Sequence, residues 1–231
     1  IWLAGYAART KPSEGVLHDI WAKAMAFEDE TGAKAVAVTL DLVGIRKPMA
    51  EAIAEKVRSK HGISRDRVWF NASHTHSAPL VTKGASTYDF GTYGATQAPV
   101  LKRYYGFVEA KIGEAIDQAL AKLAPATLHF DQGLAGFAVN RRRVGHREYP
   151  GPVDHDVPVL VAKNPAGNPV AILFGYACHN TVLGGQEVNG DYAGFAQTAL
   201  EQRYPGAVAL YVQGAGADSN PLPRRTVEIA R

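Results

Sequence analysis

The sequence predicts a layered α/β/α-type domain with a mixed β-sheet, on three observations. Stretches with helical spacing of apolar residues alternate with apolar, β-branched runs, the pattern of a layered α/β domain. Asn164-Pro165-Ala166-Gly167-Asn168 lies between two such runs and reads as a hairpin turn, which adds antiparallel pairing. Several of the apolar runs end in polar residues, and open α/β sheets gather such tips around a crevice.

In chain order, residues 1–13 read as an extended entry segment. Val16, Ile20, Ala24 and Phe27 fall at helical spacing, with Gly32 to close the helix. Residues 35–42 form an apolar, β-branched run expected to be a strand buried on both faces. Asp41 stands near its tip, either supporting a neighbouring functional group or capping the next turn. Residues 48–60 predict a helix, with Pro48 at its start and Gly62 past its end. Residues 67–70 predict a strand. Residues 84–98 read as a loop whose Tyr88, Phe90 and Tyr93 either line an apolar channel or hold the loop together. Residues 99–123 predict a long helix, with Leu101, Tyr105, Val108, Ile112, Ile116 and Leu120 on its inner face. Strands are expected from Thr127, at 157–162, at 170–176 and at 207–212. A helix over 191–202 with Ala193, Ala196 and Leu200 inward precedes the last of these, and a glycine-rich turn over 213–221 follows it.

The chain has 231 residues and one cysteine, Cys178, so no intrachain disulfide holds it. It reads as a single domain. Net charge is +3, too mild to argue for nucleic acid or an anionic membrane. No apolar run is long enough to cross a bilayer. The local cluster Arg141-Arg142-Arg143 needs its own explanation: a solvated face, or a ligand contact.

The stretch with most chemistry is Asn71-Ala72-Ser73-His74-Thr75-His76-Ser77-Ala78-Pro79. Val68, Phe70, Ala72, His74 and His76 share one parity, so an extended chain would aim both imidazoles at one spot. Two neutral imidazoles on one face suit zinc. The same spacing also fits two ordinary histidines, one hydrogen-bonded and one solvated. His179 after one strand and Asp218 and Ser219 after another extend the set of polar strand tips.

These residues carry a resemblance to the neutral/alkaline (non-lysosomal) ceramidase family. Leu3-Ala4-Gly5-Tyr6 resembles its N-terminal segment, and Ser73 to Pro79 is similar to its Thr-His-Thr-His-Ser-Gly-Pro signature. Asn140-Arg141, Tyr176-Ala177-Cys178-His179, the stretch from Val188 to Phe195 and Gly216 to Pro221 resemble further family motifs in the same order. The resemblance implies a zinc-dependent amidase, with His74 and His179 as metal ligands and His76 beside the ion as a catalytic or substrate-orienting group. It implies Arg141 on the acyl carbonyl or the product carboxylate, and Asp218 and Ser219 in the catalytic turn. Ser219 matches the family serine only with a one-residue slip.

The family's zinc site also uses a glutamate and a tyrosine from later in its catalytic domain, neither of which is placed in this sequence, and Asp41, Asp191, Asp218 or His76 are the candidates to substitute. The domain, 1–231, is therefore expected to be the N-terminal part of a larger catalytic domain, or a short relative. The expected reaction is hydrolysis of an N-acyl bond in a small-molecule or lipid substrate, with peripheral membrane contact. A secreted or periplasmic location is expected, although no signal peptide is present. Alternatives are a hydrolase of another amide or ester on the same scaffold, and a non-catalytic binding remnant. A metal-independent serine hydrolase ranks lowest, because no Gly-x-Ser-x-Gly turn is present.

Overall fold

A computed structural model describes residues 1–82, 97–145 and 148–231. The elements run β1 (Gly15–Val16), β2 (Ala22–Glu28), β3 (Lys34–Leu40), α1 (Lys47–His61), β4 (Val68–Ala72), α2 (Ala98–Ala121), β5 (Thr127–Leu134), β6 (Ala138–Asn140), β7 (Asp156–Lys163), β8 (Pro169–Tyr176), β9 (Glu187–Val188), α3 (Asp191–Arg203), β10 (Val208–Gln213), β11 (Ser219–Pro221) and α4 (Val227–Ala230). The loop aromatics Tyr88, Phe90 and Tyr93 lie outside the described residues.

The mixed α/β class holds, with the strands shared among several sheets. One sheet orders β2-β3-β4, antiparallel then parallel. A larger one orders β10-β8-β7-β5, with only the β10–β8 pair parallel. The expected hairpin joins β7 and β8. Two further short pairs are β1–β9, parallel, and β6–β11, antiparallel.

The main core fills the space between the three-stranded sheet and helices α1 and α2. Val36, Val38 and Leu40 of β3 meet Met49, Ile53 and Val57 of α1 and Tyr105, Val108, Ile112 and Ile116 of α2. Leu120 packs against this cluster from its rim. On the other face of β2, Met25 packs with Ala162 of β7 and Leu210 of β10. Lys23 is buried there too, bonded to Glu201 of α3 at 2.7 Å and to the carbonyl of Ala209 at 2.9 Å. The inner face of α3 is Ala193, Gly194 and Gln197; Ala196 and Leu200 are only half-buried.

The helix expected across residues 16–27 is a strand from Ala22. Ala22, Ala24 and Ala26 face the α2 core, while Met25 and Phe27 face the second sheet. With apolar residues on both faces, a period of two is invisible in the sequence. Seven residues paired along β3 decide the matter.

Beyond the Lys23 and Met25 contacts, the Asn71 side chain joins the two sheets where β4 meets β10. Asn71 accepts from the Gln213 backbone N–H at 2.8 Å and donates to the Gln213 carbonyl at 3.1 Å. An amide carries both a donor and an acceptor, so it substitutes for one rung of a β-ladder. This splice brings the tip of β4, and the histidines after it, beside the tips of β8 and β10.

Candidate metal centre

His74 and His76 follow β4, but not as an extended strand. The strand ends at Ala72, and His74 sits in the left-handed region with φ of 63°. The expectation of one continuous extended face is therefore corrected: a turn, not a period of two, aims the two rings together. The turn still tracks the end of β3 and the residues after it, where the Leu40 and Leu42 carbonyls accept the N–H groups of Ser73 and His74.

His179 arrives from the loop after β8. The loop is held by Asn180, which is fully buried, donates to the Ser73 carbonyl at 3.0 Å and accepts from the N–H of Ala193 at 3.2 Å. It is held further by Asp191, whose carboxylate accepts from the N–H groups of Val182, Leu183 and Tyr192. Burial pushes the Asp191 carboxyl up, against the pull of those three donors.

The three rings meet. Their centroids are 4.9 Å apart for His74 and His76, 5.0 Å for His74 and His179, and 5.8 Å for His76 and His179. One nitrogen from each lies within 4.8 Å of the others. His74 Nδ1 is 2.6 Å from the Val43 carbonyl. His179 Nδ1 is 2.9 Å from the Gly216 carbonyl and 3.1 Å from that of Ser219. A carbonyl only accepts, so each of these nitrogens carries the proton, and each Nε2 keeps its lone pair.

His76 differs. Both its ring nitrogens are buried, and neither has a hydrogen-bond partner. Burial, aided by the positive fields of His74, His179, Arg9 and Arg224, pushes its pKa down to about 3. It is therefore neutral at pH 7, with a lone pair to offer. An orphaned buried imidazole beside two carbonyl-anchored ones is a donor set that fits a metal cation.

Two glycines make this geometry fit. Gly5 has φ of 92°, and a Cβ there would lie 2.4 Å from Cγ of His76. Gly216 presses on the backbone between Ala177 and Cys178, where a Cβ would meet atoms at 2.4 Å. That contact sets the carbonyl which orients His179. Tyr6 packs edge-on against His76 at 4.7 Å, and Arg9 donates to the His76 carbonyl at 2.8 Å. Reading residues for chemistry alone passed over Arg9 and gave Gly5 and Gly216 no role. Their only signal was a place inside matched motifs or beside them.

The remaining expected site residues fall around the trio. The Arg141 cation is near enough for its field to act on His179. Ser219 contributes its carbonyl to His179 and is itself buried. The Asp218 carboxylate accepts from Asn140 at 3.3 Å and faces Arg142 at 4.0 Å, lining a separate pocket. Asp41 is buried and accepts from the Trp21 N–H and from Gln197. Of the four suggested substitute ligands, His76 alone joins the cluster, and no carboxylate does among the described residues. A pocket of about 300 Å³ opens beside His74 and His76. It shares Leu42 and Pro79 with a groove of about 710 Å³ lined by Ile20, Trp21, Phe107 and Val108.

The molecule is thus a layered α/β domain with a three-histidine cluster suited to a cation. Residues 1–215 match the family described as neutral/alkaline non-lysosomal ceramidase, N-terminal, and the chain belongs to that family. It is 26% identical over 244 residues to neutral ceramidase B of Dictyostelium discoideum, covering 96% of this chain and 33% of that protein. The fold superimposes on neutral ceramidase from Pseudomonas aeruginosa with a TM-score of 0.82 at 22% identity, covering 96% of this chain and 37% of the other. A ceramidase complexed with C2 gives 0.83, also at 22% identity, covering 96% and 36%. The chain spans about a third of the length of these relatives.

Proposed function

We propose that this chain carries the metal-binding part of a zinc-dependent hydrolase that cleaves an N-acyl amide bond, as in ceramide. The observation that carries the reading is the convergence of His74, His76 and His179, two of them pinned through Nδ1 and the third without a partner. His74 and His179 would hold the ion, and His76 supplies the third imidazole. Zinc bound there supplies Lewis acidity and lowers the pKa of water from about 15.7 toward about 7.

The residues around the trio support this chemistry. The Val43, Gly216 and Ser219 carbonyls fix the rings, which keeps the lone pairs aimed without rearrangement. Arg141 offers a cation for the acyl oxygen or the product carboxylate, where a well-placed donor contributes on the order of 3 kcal/mol. The Asp218 carboxylate, held by Asn140, orients the turn that carries Ser219. The apolar groove beyond Leu42 and Pro79 supports an acyl chain as the apolar half of the substrate. The domain is read as the N-terminal part of a larger catalytic unit, working outside the cytoplasm on a membrane-borne or soluble N-acyl amine.

The test is hydrolysis of N-acyl sphingosine and of a simpler N-acyl amine, before and after chelation, with zinc content measured on the same samples. Chelation should abolish activity and zinc should restore it. Activity indifferent to chelation overturns the metal assignment.

A further inference from the structure

A second pocket, of about 460 Å³, lies against the other side of the histidine site and plays no part in the reading above. Its wall includes Tyr6, Arg9, Thr181, Arg224 and Arg225, and no carboxylate lines it. Among the described residues none of the three arginines pairs with an acid within 4.0 Å. Arg9 is only 6% exposed. Its two terminal nitrogens are taken by the carbonyls of Gly185 and His76 and by Gln186, and its Nε has no partner. Thr181 is 3% exposed, and its hydroxyl is also without a partner. A buried guanidinium without a counter-charge and a buried hydroxyl without a bond are both costly. One ligand that accepts hydrogen bonds and carries negative charge would relieve both.

We infer that this pocket binds an oxyanion, a carboxylate or a phosphate.

The acid nearest in effect does not fill that role. Asp191 feels the Arg224 charge, but its carboxylate is occupied by three backbone N–H groups. Three guanidinium groups therefore face one pocket with at most one buried acid behind its wall. The walls also belong to the histidine site. Arg224 Nε donates to the Thr181 carbonyl at 2.8 Å, and the Arg225 N–H donates to that of Val182. Both contacts fall on the segment just past His179. On the opposite side, Tyr6 and Arg9 contact His76 directly. An anion held here sits behind the histidine cluster, in a pocket that shares no lining residue with the one beside His74 and His76. The anion site rests on residues separate from those of the proposed hydrolase.

The experiment uses chelator-treated protein, so that no ion at the histidines contributes to anion binding. Inorganic phosphate and acetate are titrated separately at constant ionic strength, with chloride as the control, and followed by calorimetry and melting temperature. Saturable binding of phosphate alone assigns a phosphorylated ligand, and of acetate alone a carboxylated one. In Arg224→Gln/Arg225→Gln the affinity should fall at least tenfold. Should that variant not fold, Arg225→Gln alone, at an exposed position, should weaken binding several-fold. Binding no stronger than chloride, or binding unchanged in the variants, overturns the inference and leaves the zinc hydrolase reading untouched.

Discussion

Single residues fix the metal centre by what they exclude as much as by what they donate. Gly5 leaves the space that the His76 ring occupies. Gly5→Ala places a methyl in that space at a positive φ, and should cost about 1–3 kcal/mol in urea unfolding while weakening zinc uptake. Unchanged stability and unchanged metal content would show that His76 has room to move. Asp41 acts at a distance, tying the starts and ends of β2 and β3 to α3 through Trp21 and Gln197. Burial holds its carboxyl above the ordinary 3.8. The protonated form therefore favours the fold, an advantage fully present below about pH 4 and lost as pH rises through the raised value. Wild type should lose stability relative to Asp41→Asn as pH rises above about 4, and a difference that stays constant would remove this account.

At the scale of elements, the contact between the β4 and β10 edges depends on the Asn71 amide. Its two bonds to Gln213 stand in for a rung between β4 and β10. Asn71→Ala should cost about 1–3 kcal/mol. It should also speed amide exchange at Gln213 beyond the change seen at Leu210, which is buried mid-strand. Equal exchange at both positions would mean that packing, not the amide, holds the edges together. The long α2 and the β7–β8 hairpin were legible because each carries a local signal: five core residues at helical spacing in one, and a turn sequence in the other. Strand β2 was not legible, because its alternation pits alanine against methionine and phenylalanine, and a hydrophobicity pattern does not separate them.

Over the whole molecule, the proposed ion would clasp segments that are far apart in the chain: the turn after β4 and the loop after β8. Ligand binding to the folded state alone adds stability by mass action. Zinc at a hundred times its dissociation constant should therefore stabilise the fold by about 2.7 kcal/mol. The urea midpoint should fall on chelation in wild type and not in His179→Ala; a midpoint insensitive to chelator in both would remove the clasp. At the far edge of the larger sheet, β5 is exposed along its length and presents Leu128, Phe130 and Leu134 to solvent.

The sequence by itself determined the class of fold, most of its elements and the family, because periodicity, turn residues and ordered motifs are local and survive without coordinates. It also supplied the histidines, since His-x-His and a later His after an apolar strand are visible as residue types. Only the tertiary structure decided which candidates meet. His76 joined the cluster while Asp41, Asp191 and Asp218 went to backbone and amide partners, because hydrogen-bonding groups in a folded chain are claimed by whatever the packing brings nearest. The same packing set Gly5 and Gly216 against the site and lined a carboxylate-free pocket with three arginines, juxtapositions of residues up to 216 positions apart that no local pattern encodes.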